Sequence, residues 1–214
     1  MNRNRDHLIA GLTEQLAPVR AIRMRDGIAV VTATALATLT GVEVVEGLWR
    51  GILAGEATPF FWVTSGLLLV LGLSACGAVI AMASPGVGNR HDAPRWASAM
   101  LAVLPIAAVL SALPHRGAAN AIMADAHAGH CVTASLVATL GAFAALVIWL
   151  RRGAPVSLAQ AGWFTGIGAG ALGTLTYGLS CPVDTIGHLG VWHVTPVVIA
   201  AIAGRLVVPR LVRW

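Results

Sequence analysis

Apolar residues along this chain gather into blocks of about 20, the length that crosses roughly 30 Å of hydrocarbon. Six such blocks stand out, at about 27–49, 60–83, 97–113, 131–150, 158–179 and 190–208. Turn residues separate them: Gly55 and Pro59, Pro85 with Gly86 and Gly88, Pro114, Gly153 with Pro155, and Pro182 with Gly187. An isolated strand cannot satisfy its backbone in lipid, so the blocks predict helices. The expected fold is all-α: a six-helix transmembrane bundle over residues 27–214, behind a short amphipathic segment over residues 1–26.

The amphipathic segment has its own pattern. Leu8, Leu12, Leu16 and Val19 recur at steps of four, four and three, with Ile9 beside them. Asp6 can cap a helix there, and Pro18 stops it. Arg20, Arg23 and Arg25 follow. Such a stripe either lies on anionic lipid or docks in the groove of a cytosolic partner, and periodicity leaves both open. The segment is too polar and too long for the n-region of a signal peptide, so none is expected.

Composition agrees with a membrane protein: 57% of the residues are apolar and 11% charged, against about 25% charged in a soluble domain. The net charge of +5 does not imply nucleic acid, because all 14 basic residues are arginines placed mainly in loops and tails. Six spans put both termini on one side of the membrane. Arg3, Arg5, Arg20, Arg23, Arg25, Arg90, Arg95, Arg151, Arg152, Arg205, Arg210 and Arg213 share that side, and only Arg50 and Arg116 fall on the other. This bias places both termini in the cytoplasm. Tryptophans and other aromatics form a belt at each end, Trp49, Phe60, Phe61, Trp62, Tyr177 and Trp192 outside, Trp96, Trp149, Trp163 and Trp214 inside.

The candidate chemistry then falls outside the membrane. Cys131 and Cys181 stand at outer helix ends, in an oxidising space where a disulfide can form. His115, His127, His130, His188 and His193 lie in or beside the outer loops, with Asp125 and Asp184. Thiolate and imidazole are soft-to-borderline donors, so Cys131, Cys181, His130 and His188 are candidate ligands for copper, zinc or cadmium. No CxxC or HxxxH spacing strengthens that reading. Cys76 lies inside an apolar run and reads as packing.

Glu43 and Glu46, one turn apart in the first span, suggest either a proton or cation path or polar pairing near the outer surface. Gly162, Gly166 and Gly170, at four-residue spacing, predict close helix packing. No nucleotide loop, HExxH or nucleophile elbow is present, and no enzyme is expected. A small transporter or metal-handling protein would use Glu43, Glu46 and the Cys/His cluster, and a thiol oxidoreductase would use Cys131 and Cys181. The first usually shows polar residues near the midplane and the second usually a CxxC pair, so both rank below a regulatory protein.

Four stretches together resemble the NrsF family of bacterial anti-sigma factors. They are the head segment from Leu16 through Pro18, Val19 and Arg20 to Arg23, then Ser84-Pro85-Gly86, and Arg151-Arg152-Gly153-Ala154-Pro155. The fourth is the tail, with Cys181-Pro182-Val183-Asp184, Val191-Trp192-His193, Gly204-Arg205 and Arg213-Trp214. The family usually has an acidic residue between Pro182 and Asp184, and often an aromatic near position 188, where this chain has Val183 and His188. The resemblance implies six membrane helices and a cytoplasmic head that holds an extracytoplasmic-function sigma factor. Leu8, Leu12, Leu16, Pro18, Val19, Arg20 and Arg23 are then the partner-binding residues. It also implies release of the sigma factor when oxidants or heavy metals act on Cys131 and Cys181.

Overall fold

The computed structural model describes residues 3–14, 22–84, 93–114 and 117–212. Every regular element among them is a helix. In chain order these are α1 (Arg3–Glu14), α2 (Met24–Val45), α3 (Arg50–Ala54), α4 (Pro59–Met82), α5 (Ala93–Leu101), α6 (Val103–Ala112), α7 (Ala118–Met123), α8 (Ala128–Arg151), α9 (Leu158–Gly178), α10 (Ile186–Trp192) and α11 (Thr195–Leu211).

Local chemistry sets the boundaries. Thr58 caps α4, its hydroxyl accepting the Phe61 N–H at 3.3 Å, and Pro59 takes the first helical position, where no N–H is needed. Ser157 caps α9 through the Gln160 N–H at 3.4 Å. Gly47, at φ 77°, turns the chain after α2 in a conformation that favours glycine.

Six spans were expected, but among the described residues four helical stretches are long and apolar enough to cross a membrane: α2, α4, α8, and α10 with α11 taken together. The other two depart for different reasons. The expected span over 97–113 breaks at Ala102 into α5 and α6. Pro105 lies just inside α6 and has no N–H for the Leu101 carbonyl. The expected span over 158–179 is a single 21-residue helix, α9, but a glycine-rich one with 16 of its residues buried. It sits at the centre of the bundle, against α4, α8 and α11. Its neighbours are helices, so apolar bulk at every position is not required. The outermost long helix is α2, which packs on α8 and buries only Gly27 and Val31.

The glycines of α9 set the interhelical distances. A methyl group at Gly166 would overlap the Ala200 carbonyl oxygen and stand 2.6 Å from the Ala201 Cα, so α9 and α11 touch backbone to backbone. Gly166→Ala is therefore expected to lower the thermal unfolding midpoint of the solubilised protein by an amount worth about 1–3 kcal/mol, as overpacking does. Gly77→Ala, where a methyl group meets nothing within 4 Å, should leave the midpoint unchanged.

Candidate thiol and imidazole site

Four donor residues meet where three helix ends converge. Cys131 lies in the first turn of α8, its N–H bonded to the His127 carbonyl at 2.9 Å. Cys181 follows the last turn of α9, its N–H directed to the Gly178 carbonyl at 3.3 Å. The next residues anchor the loop. Asp184 accepts the Thr58 N–H at 2.9 Å through its carboxylate, and its carbonyl accepts the Thr58 hydroxyl at 3.2 Å. Thr185 then caps α10, which puts His188 in its first turn and His193 at its end. The two imidazoles stand edge to face, ring centres 5.4 Å apart.

The sulfurs of Cys131 and Cys181 are 3.5 Å apart, unbonded but adjacent. His188 Nε2 lies 3.2 Å from the Cys131 sulfur and 3.5 Å from that of Cys181. All four residues are buried, and one donor atom from each of Cys131, Cys181, His188 and His193 lies within 4.8 Å of the others. Tetrahedral zinc with two sulfur and two nitrogen ligands would need ligand separations of about 3.3–3.8 Å, so small shifts close the set. His193 Nε2 is buried without a hydrogen-bond partner, so the ring has a polar atom with no partner among the described residues. The donor set therefore fits a soft or borderline cation.

Around this set lies a second layer. Asp125 Oδ2 is 2.6 Å from His188 Nδ1. A carboxylate only accepts, so Nδ1 carries a proton, and Nε2 is the ring nitrogen turned toward the two sulfurs. The other Asp125 oxygen accepts the His127 N–H at 2.9 Å. Burial would raise the Asp125 carboxyl, but the hydrogen bonds from His188 and His127 and the charges on their rings hold it below the ordinary carboxylate range. The Cys181 thiol is pushed up by its hydrogen bond with Cys131, by burial, and by the negative charge that a deprotonated Cys131 would place beside it. Losing a proton from both sulfurs at once is therefore unfavourable unless a cation takes their place. The Tyr177 hydroxyl, 3.7 Å from the Cys131 sulfur, closes the site toward α2.

Asp125 supplies a test with a definite sign. A depressed carboxyl contributes stability that is complete above its unfolded value and is lost as pH falls through its folded value. Wild-type unfolding should thus lose this contribution only on acidification below about pH 4, and Asp125→Asn should lack that acid step. At neutral pH the same substitution should weaken metal binding about 10–100-fold, the usual effect of removing a carboxylate that orients a ligating histidine. Calorimetric titration with zinc checks the second effect.

The residues expected from the sequence are distributed as follows. Cys131, Cys181 and His188 come together, while His130 lies apart, its Nε2 3.2 Å from the Glu46 carboxylate and its side chain mostly exposed. The ring of His130 stacks edge to face on Tyr177 at 5.7 Å. His193, on a different element from His130, is the fourth member of the cluster. Sequence reasoning placed His193 and Asp125 among the residues in or beside the outer loops but named neither as a ligand or as the partner of one. The signal was the pair of histidines five residues apart, but only the end of α10 at His193 turns both rings to one side. Glu46 pairs with His130, and Glu43 is exposed. Cys76 is buried in α4 against Gly168.

In the head, Leu8, Ile9 and Leu12 are all more than half exposed on α1. That helix already starts by Arg3, so Asp6 lies in its first turn. Arg23 is extended and stands just before α2, with no side-chain hydrogen bond capping the helix. Leu16, Pro18, Val19 and Arg20 lie outside the described residues.

Fold and site together define a helical protein with four helical stretches, among the described residues, long and apolar enough to cross a membrane, and a buried thiol–imidazole cluster at one end. The family described as negative regulator of sigma F, NrsF, matches residues 12–214, and the chain belongs to that family. It is 28% identical over 210 residues to the anti-sigma-F factor NrsF of Caulobacter vibrioides (strain NA1000 / CB15N), covering 96% of this chain and 94% of that protein. It is 27% identical over 158 residues to the probable anti-sigma-F factor NrsF of Azospira oryzae (strain ATCC BAA-33 / DSM 13638 / PS), covering 73% of each. No solved structure matches the chain significantly.

Proposed function

We propose that this chain is a membrane anti-sigma factor, a regulator and not an enzyme, which holds an extracytoplasmic-function sigma factor through residues 1–26. Two relatives are named anti-sigma-F factor and probable anti-sigma-F factor, matched over 94% and 73% of their lengths. In this reading the chain makes six passes through the bacterial inner membrane, with both termini cytoplasmic. The broken pair α5 and α6 forms one pass, and α9 forms another, shielded from lipid by its neighbours. The exposed stripe Leu8, Ile9 and Leu12 on α1, continued in sequence by Leu16 and Val19, is the docking surface. Pro18, Arg20 and Arg23 shape the junction to the first pass.

Cys131 and Cys181 are the input, and the observation that carries this is their 3.5 Å separation beside two buried imidazoles. Oxidation would join the two sulfurs, releasing two protons and passing two electrons to the oxidant. A soft cation would instead bridge the same sulfurs, with His188 and His193 completing the set. Either event links the start of α8 to the loop between α9 and α10, so it acts on the central helix directly. Freeing a partner that is about 99% bound until about 1% remains bound requires about 5.5 kcal/mol, a size that a disulfide or a metal bridge approaches.

The test is co-purification from solubilised membranes. A sigma factor of the extracytoplasmic-function type should accompany the full chain and be lost when residues 1–26 are removed. Recovery of the sigma factor with the shortened chain would overturn the assignment of the head.

A further inference from the structure

In chain order α2 follows the head and leads into the bundle, and it is held at both ends. At its start, Gly27 fits between α4 and α8. A methyl group there would stand 2.8 Å from Ile80 and from the Trp149 ring, and the Trp149 indole N–H donates to the Ile80 carbonyl at 3.3 Å. Along the middle, the seam with α8 closes at Gly141, where a methyl group would stand 3.2 Å from the Thr38 hydroxyl. Cavities of about 340 and 470 Å³ lie along the same seam. The buried residues of α2, Gly27 and Val31, both lie in its first half.

The far end of α2 is tied to the two elements that carry the sulfurs. Glu46 follows the last residue of α2, and its carboxylate lies 3.2 Å from Nε2 of His130, the residue before Cys131. Val42, one turn earlier, packs against the buried group of Cys131, Tyr177 and Cys181. Gly47 then turns the chain, and the Trp49 N–H donates to the Leu179 carbonyl at 3.0 Å, two residues before Cys181. Apolar contact between helices gains little in lipid, so close packing and hydrogen bonds decide where α2 rests. The sulfurs are 3.5 Å apart, and bonding them, or closing a cation between them and His188, draws Cys131 and Cys181 together. His130 faces α2 while Cys131 faces inward, so this movement pulls at the Glu46 contact, and movement of Cys181 pulls at the Leu179 contact. Packed interfaces answer such small shifts by switching between arrangements, not by stretching.

We propose, on the reading of the sulfurs as input and of residues 1–26 as docking surface, that α2 carries the state of Cys131 and Cys181 to the head. Its far end is docked on α8 through Glu46 and His130 while the sulfurs are free, and is released when they are linked. Two sites are thereby coupled by one element whose contacts differ between two states, as allostery requires. Glu46 is a positioning residue in this coupling, and no thiol or metal chemistry passes through it.

Hydrogen exchange of the full chain in nanodiscs, read by mass spectrometry with and without cadmium, tests it. On cadmium binding, amides in the last turn of α2 should exchange at least about tenfold faster, while those of α11 after Gly204 should change less than about twofold. Glu46→Ala should exchange fast at that turn without cadmium. Cadmium should then add less than about twofold, although its thiolate charge-transfer band titrates as in the wild type. Glu46→Gln, which keeps a hydrogen bond to His130, should behave as the wild type. In cells, Glu46→Ala should raise sigma-dependent transcription without metal. Unchanged exchange of wild-type α2 under a full thiolate band would overturn the proposal. So would equal acceleration in every helix, a full cadmium effect in Glu46→Ala, or full repression by Glu46→Ala while α2 already exchanges fast. Absence of the thiolate band would overturn the thiol reading and this proposal with it. The exchange measurements use no sigma factor, so they decide the coupling to α2 separately from the assignment of the head.

Discussion

Cys131→Ser is expected to lower the affinity of the purified protein for cadmium at least a hundredfold, about 2.7 kcal/mol, and to abolish the response to metal in cells. The sulfur it removes is the hub of the site. It stands 3.2 Å from His188 Nε2, 3.5 Å from the Cys181 sulfur and 3.7 Å from the Tyr177 hydroxyl. A serine oxygen is a harder donor on a shorter bond, so it neither reaches as far nor suits a soft cation. The ultraviolet charge-transfer band of cadmium–thiolate bonds reads the loss directly. Cys181→Ser should have the same effect, and the double variant should look like either single one, because ligands of one ion do not act additively. His193→Ala separates the two chemistries of the sulfurs. It should weaken cadmium binding but leave the chain able to form a disulfide with peroxide, since the sulfurs touch without it. Cys76→Ser, buried in α4 away from the cluster, should keep both responses. If Cys131→Ser binds cadmium as the wild type does, the cluster is not the site.

Leu12→Asp is expected to free the sigma factor while the protein stays in the membrane. Leu12 is 59% exposed and Leu8, one turn earlier, 63% exposed, so α1 has no intramolecular cover for this stripe among the described residues. A buried leucine lost at an interface costs roughly 2–5 kcal/mol if it packs as in a core. Even about 2 kcal/mol weakens the complex roughly thirtyfold, enough to raise target transcription strongly. A reporter fused to a sigma-dependent promoter measures this, with the amount of membrane-bound protein measured in parallel. His7→Ala, next to the stripe in sequence, is the control and should repress normally. Full repression by Leu12→Asp would mean that the stripe rests on lipid instead of docking the partner.

Hydrophobic pattern alone determined that this chain is helical and which blocks are long and apolar. The lengths of α4 and α8 follow from their runs, because a helix in an apolar setting continues until a cap, a proline or a glycine ends it. The arginine asymmetry determined the orientation adopted in the proposal, since that signal is local charge and needs no packing. The pair Cys131 and Cys181 was legible because each stands at the end of an apolar run. What only the tertiary structure decided is how these pieces meet. The placement of α9 at the centre of the bundle came with its glycines, Gly166 meeting α11, Gly168 meeting Cys76 of α4 and Gly173 meeting Thr139 of α8. The exchange of His130 for His193 beside the cysteines came from the direction of α8 and the end of α10. Cys131 and His130 are neighbours in sequence, but successive residues of a helix point about 100° apart, so His130 faces Glu46 on α2 while Cys131 faces inward. Asp125 reaches His188 across 63 positions of chain, a distance over which periodicity says nothing.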